Sequence, residues 1–85
     1  MMNSMTTINK EIESFVLLKD ISDSKKQLES ILEKYQVNDP EEIEVQVREG
    51  TIPEHPAYED YLSAIAFREA ISEMKSAAKQ LIEEF

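Results

Sequence analysis

Apolar residues recur every three or four positions through the first part of the chain. They are Ile8, Ile12, Phe15, Leu18, Ile21, Leu28, Ile31, Leu32 and Tyr35. This spacing places side chains on one face of an α-helix, and no glycine or proline interrupts the segment. The pattern therefore predicts a helix over residues 7–36, preceded by a flexible polar tail at residues 1–6.

The weakest part of this predicted helix is the segment DISDSKKQ around Ser22, because aspartate and serine have low helix propensity. Ser24, followed three residues later by Gln27, also fits a capping box that would start a new helix there. We favour one long helix, bent near Ser22 at most, over two short ones.

A second, shorter element lies in the segment NDPEEIEVQVREG. Asp39 before Pro40 fits an N-cap followed by proline at the first helical position, and Gly50 fits the residue that terminates a helix. Three β-branched residues alternate instead with the period of a strand: Ile43, Val45 and Val47. Because a strand needs a partner and no second strand is evident, the sequence predicts a short helix over residues 40–49.

The third element is predicted over residues 57–85 by a heptad pattern with alternating spacings of three and four. Its members are Ala64, Phe67, Ile71, Met74, Ala78, Leu81 and Phe85. The first half of this helix has a second apolar face, against which the short helix is expected to pack. That face consists of Tyr58, Tyr61, Leu62 and Ile65.

These elements predict a single all-α domain spanning the 85 residues. The long helices would each extend about 43 Å at 1.5 Å per residue, and they would form an antiparallel hairpin with the short helix near the turn. Two helices cannot enclose a core, and so short a chain is marginal alone. We therefore expect a homodimer, in which two hairpins form a four-helix bundle.

The net charge of −9 is concentrated in the middle of the chain. Residues 37–62 contain eight acidic side chains and one basic one, Arg48, so this segment alone carries −7. Such a surface repels phosphate groups, which argues against nucleic-acid and anionic membrane partners. It would attract a basic protein or divalent cations.

The composition offers little for catalysis. The absence of cysteine excludes disulfides, thiolate metal sites and thiol nucleophiles. A single glycine leaves no Gly-rich phosphate loop or nucleophile elbow. The sequence therefore predicts neither an enzyme nor a bound cofactor, and the absence of a secretory signal or membrane-spanning segment predicts a cytoplasmic protein.

The only histidine, His55, lies close to Glu54 and Glu59, and imidazole and carboxylate ligands suit several divalent metals. A structural interpretation explains more of the segment. Pro53 and Pro56 would stiffen the linker, His55 would lie near the N-cap of the third helix, and Glu59 would interact favourably with the helix dipole. A metal site at His55 is thus the least favoured hypothesis.

The favoured hypothesis is a protein–protein interaction or regulatory module that acts through helix packing and an acidic surface. The predicted packing residues are Phe67, Ile71, Met74 and Leu81. The acidic residues expected to select the partner and speed association are Glu41, Glu44 and Asp60. Two alternatives are an acidic mimic of nucleic acid and an antitoxin-like inhibitor of a basic protein.

Overall fold

The computed structural model describes the backbone of residues 4–84 and the side chains of residues 9–84. This part of the chain is entirely helical outside its turns and contains no strand. The helices are α1 (Ser4–Tyr35), α2 (Pro40–Arg48) and α3 (Glu54–Glu83). Both α1 and α2 pack against α3, so the predicted all-α class is confirmed.

The two long helices run antiparallel, as the sequence predicts. Lys10 near the start of α1 pairs with Glu84 just after α3, whereas Lys34 at the end of α1 pairs with Asp60 near the start of α3. The resulting rod measures 63 × 17 × 15 Å. Its radius of gyration is 17.6 Å, well above the roughly 12 Å expected for a compact domain of this length.

The two ends of the rod differ, and we name them by their residues. The closed end comprises residues 36–62, which include both turns, α2 and the first turns of α3. The open end comprises residues 4–18 of α1 and residues 78–84.

Helix α1 is continuous through Ser22, which confirms one long helix over two short ones. It begins at Ser4, so residues 4–6 form its first turn and not the flexible tail expected there; no glycine or proline opposes a helix at these positions. The remainder of that predicted tail, residues 1–3, lies outside the described residues. At the other end, Gln36 adopts a left-handed φ of 54°, and the N–H of Val37 donates to the Leu32 carbonyl at 3.0 Å. This is a Schellman cap with glutamine where glycine is usual.

Helix α2 has the caps that its sequence indicates. The Asp39 carboxylate accepts from the N–H of Glu42 at 3.1 Å, and the Glu42 carboxylate accepts from the N–H of Asp39 at 3.2 Å. Gly50 ends the helix with φ 75°, and the N–H of Thr51 donates to the Gln46 carbonyl at 2.9 Å. These paired hydrogen bonds satisfy the backbone groups at both termini, and residues 43–47 are helical, not extended.

Helix α3 contains one break near its start. His55 has extended backbone angles, φ −102° and ψ 128°, the conformation favoured for a residue that precedes proline. The regular helix therefore runs from Pro56, close to the predicted start at residue 57. It ends at Glu83, and Phe85 lies outside the described residues.

The core is a narrow seam between the helices. On α3 every seventh residue is buried: Ala57, Ala64, Ile71 and Ala78. Ile71 and Ile21 of α1 form its centre, flanked by Leu17, Leu28 and Met74. Ile43 of α2 is fully buried, whereas Val45 and Val47 remain half-buried. Three of these four positions on α3 are alanine, so the volume buried in the seam is small.

Candidate interaction surfaces

Four of the exposed large apolar side chains lie close together on α1 at the open end. We call this surface the outer apolar face, and it consists of Ile12, Phe15, Val16 and Leu18. The Phe15 side chain is 76% exposed, and the other three are each more than half exposed. Ile82 near the end of α3 is also exposed, so apolar side chains in water concentrate at this end of the rod.

Helix geometry explains why this face stays outside. Successive residues turn by about 100°, so the four apolar residues from Phe15 to Leu18 spread over about 300° of the helix and cannot share one face. Leu17 points into the seam with Ile21. Phe15 then points to the opposite side, away from α3. The sequence pattern predicts one stripe that contains both Phe15 and Ile21, whereas the structure places these two side chains on different faces of α1.

The predicted packing residues of α3 are used within the chain. Ile71 is buried against Ile21, and Met74 packs on the same cluster. Phe67 and Leu81 are half-buried. Ile71 and Met74 are therefore engaged within the chain, and four of the exposed large apolar side chains lie on α1.

Two of the predicted acidic partner residues form ion pairs that involve α2. The Glu41 carboxylate accepts two hydrogen bonds from the Arg68 guanidinium, at 2.7 and 2.5 Å, which joins α2 to α3. This pairing lowers the pKa of Glu41. Glu44 accepts from Arg48 within α2 at 3.1 Å, and its hydrogen bond with Tyr61 raises the pKa of that phenol. Both carboxylates therefore contribute to the placement of α2.

The third predicted acidic residue, Asp60, joins the ends of the long helices. Its carboxylate accepts from the Lys34 ammonium at 2.8 Å and from the Tyr35 hydroxyl at 2.5 Å. The hydrogen bonds from Lys34 and then Tyr35 lower the pKa of Asp60. Burial, together with the bond to Asp60, raises the pKa of Tyr35. Asp60 thus connects the last turn of α1 to the first turns of α3.

Five carboxylates of the closed end have no lysine or arginine partner among the described residues. They are Asp39, Glu42, Glu49, Glu54 and Glu59. Two of them, Asp39 and Glu42, are fixed by the capping box of α2. The closed end therefore presents uncompensated negative charge, while the outer apolar face lies at the other end of the rod.

The structure brings together only part of the predicted metal site. The Nδ1 atom of His55 lies 3.0 Å from a Glu59 carboxylate oxygen, and this contact lowers the pKa of Glu59. Both side chains are largely exposed. Glu54 does not join them: the described residues contain no group of three or more histidine, cysteine, aspartate or glutamate side chains placed to hold a metal ion.

Two further searches of the described residues gave no site. Residues 4–84 enclose no pocket. None of their helices has an apolar segment long enough to cross a membrane.

Together, the fold and its exposed surfaces define a small all-α hairpin protein with an acidic closed end and an apolar open end. Residues 2–84 match the Uncharacterized protein MJ0235 family, and the chain belongs to that family. No match was found among curated proteins or among solved structures.

Proposed function

We propose that this protein is a protein–protein interaction module that binds its partner through the outer apolar face of α1. The observation that supports the proposal most directly is the exposure of Phe15, at 76%, beside three other exposed aliphatic side chains. Apolar surface in contact with water is unfavourable by about 25 cal/mol per Å² relative to burial. Contiguous exposed apolar surface of this kind marks interaction sites on soluble proteins.

The mode of recognition is helix packing, as expected from the sequence, but on a different helix. Ile71 and Met74 are engaged in the internal seam. The outer apolar face offers residues spaced three and four apart, which suits docking against another helix. Phe15 would be the central contact, because aromatic side chains dominate the binding energy of such interfaces.

A homodimer is the simplest form of this module. Two hairpins would then contribute four long helices to one assembly, as the four-helix arrangement expected from the sequence requires. Dimerisation would also offset the small core, since a chain of this size buries little apolar surface alone. A cytoplasmic location, expected from the sequence, is part of the same proposal.

The test is native mass spectrometry of the tagged full-length chain recovered from its own cells. Wild type should be recovered in a complex, either with itself or with another protein, and Phe15→Ser should be recovered alone. Circular dichroism of the variant should match wild type, because Phe15 contributes little to the internal seam. Recovery of wild type as a free monomer would argue against the proposal.

A second candidate function is the binding of a basic protein by the closed end. It is favoured by the five carboxylates that have no lysine or arginine partner within the described part of the chain, together with the net charge of −9. In this mode the protein would be an acidic mimic of nucleic acid or an antitoxin-like inhibitor. Added salt distinguishes the two functions, because it weakens charge-driven complexes steeply but does not weaken apolar packing.

A further inference from the structure

We infer that the outer apolar face docks on a second copy of this chain, with the two α1 helices antiparallel and Phe15 of one copy facing Phe15 of the other. The inference rests on the proposed function and commits it to one partner. Three independent features of the described residues support it: the order of side chains around Phe15, the distribution of charge along the rod, and the orientation of the face.

The order of side chains around Phe15 is self-complementary. In a two-fold antiparallel pair centred on this residue, positions equally far before and after it become level across the interface. Ile12 of one copy is then level with Leu18 of the other, and Glu11 is level with Lys19. Glu11 and Lys19 are both exposed. Lys19 pairs with Asp23 of its own helix at 3.2 Å, so in the dimer its ammonium would be shared with Glu11 of the second copy. On each side of the central Phe15, an apolar pair is therefore followed one residue further out by a pair of opposite charges, while Val16 is level with Ser14.

The charge distribution selects the antiparallel orientation. A parallel pair would place two acidic closed ends side by side, within about one or two Debye lengths at physiological salt. In the antiparallel pair each closed end extends away from the centre in opposite directions. Phe15 lies about 30 Å from Tyr35 along α1, so the two Tyr35 residues would be about 60 Å apart. At that distance their surrounding charges are fully screened.

The orientation of the face determines the arrangement of the four helices. Phe15 points away from α3, because Leu17 and Ile21 occupy the opposite side of α1. Docking through this face therefore stacks the helices as a layer in the order α3, α1, α1 and α3, with the two α1 helices at the centre. The surface buried in the dimer is separate from the internal seam, so each hairpin keeps its own core.

Cysteine cross-linking tests the register, because the chain contains no cysteine of its own. Glu11→Cys and Lys19→Cys chains should cross-link to each other when mixed, since these positions are level in the antiparallel pair. Each variant alone should cross-link poorly, because its two copies are offset by about 12 Å along the axis. Preferential cross-linking of each variant with itself would overturn the antiparallel register.

Sedimentation equilibrium over a range of concentrations tests the partner. Wild type should show a reversible dimer, and Phe15→Glu should weaken it roughly 30-fold or more, as expected for loss of a central interface aromatic. Tyr58→Glu is the matched control: Tyr58 is also exposed, but it lies at the closed end, so its dimer constant should not change.

The outcomes separate this inference from the proposed function. A wild-type chain that stays monomeric at every concentration overturns the second-copy inference. If such a chain is still recovered from its cells in a complex that Phe15→Ser abolishes, the interaction module stands with a different partner. If it is recovered alone as well, both fail.

Discussion

The stability of α2 depends on one side chain, and this dependence gives the sharpest quantitative prediction. Ile43 is the only large side chain that is fully buried among the described residues. Ile43→Ala removes three carbons, worth about 2.4 kcal/mol at about 0.8 kcal/mol per carbon. The cavity that remains adds to this loss, so the total should be about 2.5–4 kcal/mol. A domain of this length has a free energy of unfolding of roughly 4–13 kcal/mol, so the variant should lose a substantial part of its stability.

The assay is urea unfolding followed by far-ultraviolet circular dichroism, with protein concentration fixed so that any dimerisation contributes equally. Ile82→Ala is the control, because it makes the same chemical change at a side chain that is 57% exposed. It should cost less than about 1 kcal/mol. Equal losses in the two variants would refute the reasoning that burial of Ile43 anchors α2.

Three further predictions concern the turns, the ion pairs and the seam. The donors around Asp60 lower its pKa, so its ionised form stabilises the fold above about pH 4, and that contribution is lost as the pH falls through the folded-state pKa. Asp60→Asn should therefore lower the free energy of unfolding by about 1.5–3 kcal/mol at neutral pH. The difference between the variant and wild type in urea unfolding should become smaller in acid, and a difference that does not depend on pH would contradict this. Gly50→Ala should lower the free energy of unfolding by about 1 kcal/mol, because alanine is strained at a φ of 75°. The loss should be no larger, since the added Cβ meets no atom within 4 Å. Gln36→Gly, at the other left-handed position, should instead raise the melting temperature. Ala64→Leu should cost about 1–3 kcal/mol by overpacking a fully buried site, whereas Ala66→Leu, at an exposed site on the same helix, should be nearly neutral in the same melt.

The helices themselves could be predicted because their signals are local. Asp39, Pro40 and Gly50 mark the start and end of α2 within a few residues, and those caps outweigh the strand-like alternation between them. The break at His55 likewise follows from the proline after it. Such features depend on neighbours along the chain, which the sequence displays directly.

The orientation of α1 could not be predicted, because its first half is apolar on two sides. Periodicity alone is consistent with two inner faces for α1, one through Phe15 and one through Leu17. Packing against α3 determines which is buried, because Leu17 and Ile21 contact the cluster that contains Ala78 of α3. The outer apolar face was therefore hidden in the sequence, although the run from Phe15 to Leu18 is too long for one helix face to bury.

The partners of the acidic residues also depend on tertiary register. Asp60 lies 26 residues from Lys34, and Glu41 lies 27 residues from Arg68. No local rule connects positions so far apart. The sequence alone therefore predicts a free acidic surface, whereas in the structure Glu41, Glu44 and Asp60 pair with basic side chains, two of which belong to another helix.

The hairpin shape has a consequence for the order of folding. The contact between Tyr35 and Asp60 closes a loop of about 25 residues, whereas the contact between Lys10 and Glu84 closes almost the whole chain. Starting from the longer loop would cost roughly 1 kcal/mol more in chain entropy. Folding should therefore nucleate at the closed end and proceed towards the open end, because each contact that forms shortens the loop that the next one must close. Unfolding would begin at the open end, where a docked second chain would hold the two long helices together.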